Sequence, residues 1–377
     1  MKLLAAACSF LLLLVVLIIN VACVAESRPV ANNSAVVEPP QRRHHDHGGH
    51  HHSDDNKKRR PTHKLLVFGD EAADNGNGAS DPALGIRSRG WRYPFGSSDK
   101  VHGRKPTGRL SDGLVQSDYV AMIMGHRESP PAYNSDDWDD ASGGMNFAVG
   151  GARALKAPGV PTLGKQVQQL RDLVRDGVVT DDDLKDYSVA LVAYSGNDYG
   201  DAHDDMTLDA LVTEVVDEVS SVVSDLLDLG VAKVLVDTLP PFGCSAWQAK
   251  GMADYSSCNY DADEASDKHN AALRERLGDE AEAVMLLDLD TVFADLVDPK
   301  EGSTLSAEFS ERLRPCCEAF DDDGYCGQYN RYSICDRPDE YFYWDFYGPT
   351  QAGWRAVMRL LQGPIMAFLG ISNLNHF

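Results

Sequence analysis

Basic side chains are scarce in this chain: 35 Lys and Arg stand against 58 Asp and Glu, a formal net charge of -23 over 377 residues. The imbalance is sharper in the body. Residues 26–63 carry seven Lys/Arg against five Asp/Glu and Lys2 adds one positive charge, so the chain from Lys64 onward stands at -26. A surface of that sign repels phosphate backbones and anionic membranes, which argues against nucleic acid as a partner. There is no Cys-x-x-Cys pair, so cysteine spacing gives no sign of zinc or dithiol redox chemistry, and no cofactor is expected. There is also no Gly-x-Ser-x-Gly elbow to supply a serine nucleophile of the α/β-hydrolase kind. No internal repeat and no second domain boundary interrupt the body.

What is present begins with a leader. Lys2 precedes an apolar run from Leu3 to Ile19, and Ala22-Cys23-Val24-Ala25 offers small residues before Glu26. Residues 1–25 read as a secretory signal peptide, because the run is short for a membrane span and lacks a basic stop on its far side. The protein is therefore expected to be secreted and extracellular, with no membrane span after signal removal. Residues 26–63 hold Pro39-Pro40, Arg42-Arg43 and Lys57-Lys58-Arg59-Arg60 with almost nothing apolar to bury, so they read as a disordered His-rich, basic arm. Its histidines His44, His45, His47, His50, His51 and His52 would bind Zn²⁺, Cu²⁺ or Ni²⁺ adventitiously, with no fixed ligand geometry to make a dedicated metal site. Asn32 opens an Asn-Asn-Ser sequon and is a glycosylation candidate. Cys8 and Cys23 leave with the leader. Cys244, Cys258, Cys316, Cys317, Cys326 and Cys335 remain, an even set for which disulfides are the default in an oxidising compartment.

Across residues 64–377, apolar runs alternate with amphipathic stretches. Lys64 to Phe68, Met145 to Val149, Ser188 to Tyr194, Ala232 to Val236 and Ala283 to Leu289 read as short strands. Leu163 to Val174, Leu208 to Leu229, Glu264 to Leu277 and Thr350 to Leu369 carry apolar residues at helical spacing. The expectation is one α/β domain, with helices on a mainly parallel sheet.

Chemistry gathers at the strand ends, as it does in open α/β sheets. Phe68-Gly69-Asp70-Glu71-Ala72-Ala73-Asp74-Asn75-Gly76-Asn77 leaves the first strand with Glu71 on its tight turn. Asn146-Phe147-Ala148-Val149-Gly150-Gly151-Ala152 places a glycine pair after the second, where backbone N–H groups approach a ligand without Cβ interference. Ser195-Gly196-Asn197-Asp198 follows the third, and Tyr343-Trp344-Asp345-Phe346-Tyr347-Gly348-Pro349-Thr350 precedes the last helix. Pro106 to Gly113, Leu239 to Cys244 and His269-Asn270 fall between them in order.

Together these blocks resemble the plant GDSL-motif esterase/lipase family of the SGNH hydrolase superfamily, over about residues 64–370. The resemblance implies an SGNH three-layer α/β/α sandwich with a mainly parallel five-stranded sheet. It makes Glu71 the family's Ser nucleophile position, Asp345 the triad Asp and Gly348 the position of the lost His. Gly151, or Gly150, and Asn197 are implied as oxyanion-hole donors. The family pattern also implies a loop closed by Cys244 and Cys258. Cys316 and Cys317 are then expected to pair outward with Cys326 and Cys335, in an order left open.

Two of three triad members are thus replaced, which is severe for ester hydrolysis by the serine route because both the nucleophile and its base are gone. Glu71 is expected to sit in its own oxyanion hole and compete with any substrate carbonyl. Three readings follow. One is a secreted family member with impaired serine-esterase catalysis that binds a small-molecule ester, lipid or glycan, or an unidentified protein partner. Another is an active ester or lipid hydrolase, or acyltransferase, with a non-standard site, for which His203 or His269 would be substitute bases. The third is a glycosidase using Glu71 and Asp345 as paired carboxylates. Asp70 and Asp74 are expected in turn or capping roles, Asn75 and Asn77 as loop ties, and Trp344 with Tyr341 to Tyr343 as core packing.

Overall fold

The computed structural model describes residues 63–135, 143–185, 187–200, 206–278, 282–321 and 323–372. The expected leader, the arm up to Thr62 with Asn32 and the histidine tract, and His203 lie outside the described residues.

Five strands form one parallel sheet: β1 (Lys64–Gly69), β2 (Gly144–Asn146), β3 (Ser188–Ala193), β4 (Lys233–Asp237) and β5 (Val284–Leu287), in the order β2-β1-β3-β4-β5. The register pairs Leu65 with Val189 and Gly69 with Ala193, so β1 and β3 end side by side. Successive side chains of a strand face opposite layers. Leu65, Val67, Leu191 and Leu235 pack on one face with helices α1 (Gln116–Ile123), α5 (Leu289–Val297) and α6 (Gln351–Leu369). Leu66, Phe68, Val192 and Val236 pack on the other with α2 (Leu163–Arg175), α3 (Leu208–Asp228) and α4 (Glu264–Leu277). Covered on both faces, the strands read as continuous apolar runs. The architecture is the expected three-layer α/β/α sandwich around a five-stranded parallel sheet.

The helices have local causes. In α2 the buried residues Leu163, Gln166, Val167, Leu170 and Leu173 keep one face to the sheet, and Thr162 accepts a capping bond from Lys165 N. Thr207 caps α3 through Ala210 N in the same way. β3 ends at Ala193, one residue short of its apolar run, and two other strands are shorter still. β2 keeps its ladder over Gly144–Asn146, and Phe147 N and Val149 N still donate to Val67 O and Gly69 O as the chain runs into the glycine pair. β5 ends at Leu287 because Asp288 caps α5.

Beyond the main sheet, β6 (Glu311–Pro315) pairs with β9 (Tyr341–Tyr343), and β7 (Cys317–Ala319) pairs with β8 (Tyr332–Ile334). The disulfides are Cys244–Cys258, Cys316–Cys335 and Cys317–Cys326, so the adjacent cysteines close nested loops beside β9. Among the described residues no helix is long and apolar enough to cross a membrane.

Thr350 ties this small sheet to the last helix. Its hydroxyl accepts from Gly353 N at 2.9 Å as the N-cap of α6 and donates to Tyr341 O at 2.7 Å, in a fully buried setting. Thr350→Ala is expected to lower stability by about 1–2 kcal/mol, the cost of a lost cap, measured as a fall in the urea midpoint with an unchanged slope.

Candidate functional site

The site begins with a close approach of two strand ends. Gly69 has a φ of 143°, and a Cβ there would lie 2.0 Å from Ala193 O, so only glycine lets β1 finish this tightly against β3. The Gln166 side chain of α2 holds the turn from the other side, accepting from Gly69 N and donating to Gly69 O, each at 2.8 Å. Asp70 is thereby driven inward with no exposure. It accepts from Ser195 N at 2.7 Å, Ser195 Oγ at 2.8 Å, Asn197 Nδ2 at 3.1 Å and Ala72 N at 3.3 Å. Burial pushes its carboxyl well above the usual carboxylate range, the neighbouring Glu71 charge adds to the push, and the bonds from Ser195 and Ala72 oppose it.

Glu71 follows on the half-buried turn. Its Oε2 accepts from Gly151 N at 2.9 Å and from Asn197 Nδ2 at 3.0 Å. These two groups come from the ends of β2 and β3, so the carboxylate joins three strand ends. The two glycines after β2 have separate tasks. Gly151 N reaches Glu71, whereas Gly150 N donates to Asp74 Oδ2 at 2.8 Å. Asp74 Oδ1 also accepts from Gly76 N and Asn77 N, which closes the loop after β1. Asn75 Nδ2 donates to Pro130 O, and Asn77 Nδ2 to Asn146 O and Ala148 O. Behind Asn197, Asp198 takes the backbone N–H groups of Ala154 and Leu155 and the Tyr194 hydroxyl.

Asp345 lies 2% exposed near the start of α6. Its Oδ1 accepts from Tyr347 N at 2.9 Å and Gly348 N at 3.1 Å, and its Oδ2 is 3.2 Å from Arg89 Nε. No hydrogen bond links it to Glu71 among the described residues. Arg89 is 8% exposed, with its guanidinium carbon 5.1 Å from the Tyr347 ring centre and 5.9 Å from that of Phe95. Sequence reasoning missed Arg89, since a single arginine in an irregular Gly- and Ser-containing segment has no periodicity or spacing to mark it. Gly348 adopts no positive φ, and a Cβ there would meet nothing nearer than Leu110 O at 3.8 Å. The backbone therefore has room for a larger residue at 348.

Glu71, Arg89, Asn197 and Gly348 open on one cleft of about 690 Å³, whose walls include Tyr199, Phe242, Trp247, Phe346 and Tyr347. None of these aromatic residues was singled out from the sequence as a wall of the site. Trp344, Phe342 and Tyr343 are core residues, although Tyr343 also touches the cleft. Asp237 reaches it from β4, fully buried, and burial lifts its carboxyl well above the usual range against one hydrogen bond from Gln116. His269 is buried, with Nδ1 2.9 Å from the Tyr199 hydroxyl and Nε2 without a hydrogen-bond partner. Among the described residues no cluster of His, Cys, Asp or Glu is arranged to hold a metal ion.

Burial lowers the pKa of His269 from 6.5 to about 4. Between those values the unfolded chain binds a proton at this side chain that the folded chain does not. Its contribution is therefore fully favourable above pH 6.5 and falls away as pH drops toward 4, by about 3 kcal/mol in total. His269→Gln is expected to flatten the rise in melting temperature between pH 4.5 and 6.5, measured by thermal denaturation beside the parent protein.

Comparison with known proteins gives this arrangement a family. The GDSL-like Lipase/Acylhydrolase profile matches residues 65–361. A GDSL esterase/lipase of Arabidopsis thaliana is 32% identical, covering 81% of this chain and 95% of that protein. A second from the same plant is 34% identical over 79% of this chain and 85% of its own length. A GDSL lipase of Tanacetum cinerariifolium is 29% identical, covering 77% and 81% respectively. Among solved structures, an acetylxylan esterase from Geobacillus stearothermophilus aligns at 13% identity and a TM-score of 0.37, over 82% of this chain and 95% of that one; a likeness that distant carries no argument here. On the profile match and the plant relatives, this chain belongs to the GDSL-like lipase/acylhydrolase family.

Proposed function

We propose that this protein is a secreted GDSL-family member that has lost serine-esterase catalysis and works by binding a ligand in its cleft. One observation carries the reading: Glu71 Oε2 already accepts from Gly151 N and Asn197 Nδ2. In acyl transfer, such donors must be free to meet the oxygen on which negative charge develops, and removing one donor in a protease costs about 10²–10³ in rate. Here a resident carboxylate oxygen holds both.

The neighbouring residues support the same reading. A serine hydroxyl needs a base within hydrogen-bond reach, and position 348 has no side chain to act as one. Tyr199 blocks His269 as a substitute, because the histidine is buried behind the phenol that faces the cleft. The paired-carboxylate glycosidase reading has less support: both Asp345 oxygens are engaged, by Arg89 and by two backbone N–H groups. Secretion is supported by the apolar leader at Leu3 to Ile19 and by three disulfides, which persist in oxidising compartments.

The expected outcome is that p-nitrophenyl acetate and a long-chain p-nitrophenyl ester are cleaved at the buffer rate by the parent protein, Glu71→Ala and Asp345→Ala alike. Turnover by the parent that disappears in either variant would return the chain to the working hydrolases. A second comparison addresses Arg89. Gly348 has room for an imidazole, but that imidazole would have to share Asp345 Oδ2 with the guanidinium. Glu71→Ser with Gly348→His is therefore expected to hydrolyse the esters more slowly than the triple variant that adds Arg89→Ala.

A further inference from the structure

We propose that the cleft takes an organic ammonium ion, seated between the free oxygen of Glu71 and the aromatic walls; this rests on the reading of the cleft as a binding site. Glu71 is tethered through Oε2 alone, and its Oε1 meets no hydrogen-bond donor among the described residues. The carboxylate is half-buried and forms part of the cleft wall. A carboxylate held through one oxygen offers the other as an acceptor to a cation or a donor.

The charge balance selects the cation. The other charged wall residue close to Glu71 is Arg89, and Asp345 behind it cancels that charge through a buried ion pair. Burial pushes the Asp237 carboxyl well above the usual carboxylate range, which disfavours its charged form. Glu71 is then left as the uncompensated charge of the inner cleft, within a chain of net charge -23 whose field draws cations and repels anions. An anionic ligand such as a free fatty acid would bring a second carboxylate beside the first.

The walls suit the same ligand. Trp247 and Tyr347 remain 44% and 47% exposed, which leaves large ring surfaces open. The cleft's rings already receive cations from the chain itself: Lys250 Nζ stands 4.9 Å from the Phe346 ring centre and the Arg89 guanidinium carbon 5.1 Å from that of Tyr347. Trp247 stands at 79° to Phe346, with ring centres 5.6 Å apart. Ring faces attract ammonium groups most strongly where water is partly excluded. A volume of about 690 Å³ admits a small amine with an appended group.

The test uses choline and its uncharged isostere 3,3-dimethylbutan-1-ol, titrated calorimetrically into the mature protein. Choline is expected to bind at least about tenfold more tightly than the alcohol. Glu71→Gln keeps an acceptor for Gly151 and Asn197 and removes the charge, so choline affinity is expected to fall about tenfold with the fold retained by circular dichroism. Trp247→Leu, at an exposed position, is expected to weaken choline as well. Equal binding of the two compounds, choline binding unchanged by Glu71→Gln, or no binding of choline would each overturn the proposal. Neither compound has an ester bond, so this result is independent of the ester assay. Ester turnover would sink the non-catalytic reading, and failure of choline would sink the ammonium ligand alone.

Discussion

Asn197 joins three strand ends through one side-chain amide. Its Nδ2 lies 3.1 Å from Asp70 Oδ2, 3.0 Å from Glu71 Oε2 and 3.1 Å from Ala152 O. Two hydrogens face three acceptors, so the amide is shared and any shift of one strand end alters the other two. The position of Asn197 is itself fixed by Asp198, whose oxygens tie the loop after β2 to the end of β3. The turn after β1, the glycine pair after β2 and the loop after β3 therefore form one unit. A side chain at position 71 inherits its surroundings from that unit.

Buried carboxylates build much of the frame. Asp70, Asp74, Asp118 and Asp198 are at most 1% exposed, which an isolated carboxylate does not tolerate. Each is instead ringed by donors. Asp118 takes Arg109 in a two-pronged contact at 2.7 and 2.8 Å and also accepts from Val115 N and Ser129 N. Carboxylates used this way fix irregular backbone, where no strand or helix ladder satisfies the N–H groups. This explains why a strongly acidic chain keeps rigid loops around its cleft.

The sheet was legible because parallel strands covered on both faces are unbroken apolar runs, and four helices because one face of each is buried. Helix Gln116–Ile123 was not read: seven of its eight residues are buried, polar Gln116, Ser117 and Asp118 included, so it has no polar stripe to give a 3.6-residue period. Helix Leu289–Val297 was also missed, since it starts two residues after β5 and its first residue was read as strand. At the site, the blocks around Glu71, Gly151, Asn197 and Asp345 were singled out by their resemblance to the family's motifs, each following a strand or preceding a helix. Arg89, Tyr199, Trp247 and Tyr347 come together only through tertiary folding. The pairing of Cys316 and Cys317 was open for the same reason, as sequence spacing does not tell which neighbour faces Cys335.

Positions 71 and 348 can change without loss of the fold because neither is needed to hold the frame. Asp70, Asp74 and Asn77 carry the loop after β1, and Asp345 stays fixed by the N–H groups of Tyr347 and Gly348. Without a neighbouring cation, Asp345 would be a buried carboxylate short of a charged partner, which typically costs 3–5 kcal/mol. Arg89 supplies that partner. A carboxylate at position 71 likewise finds Gly151 N and Asn197 Nδ2 to accept from. Glu71 and the turn at Gly348 are thus held by specific contacts beside an open, aromatic-walled cleft.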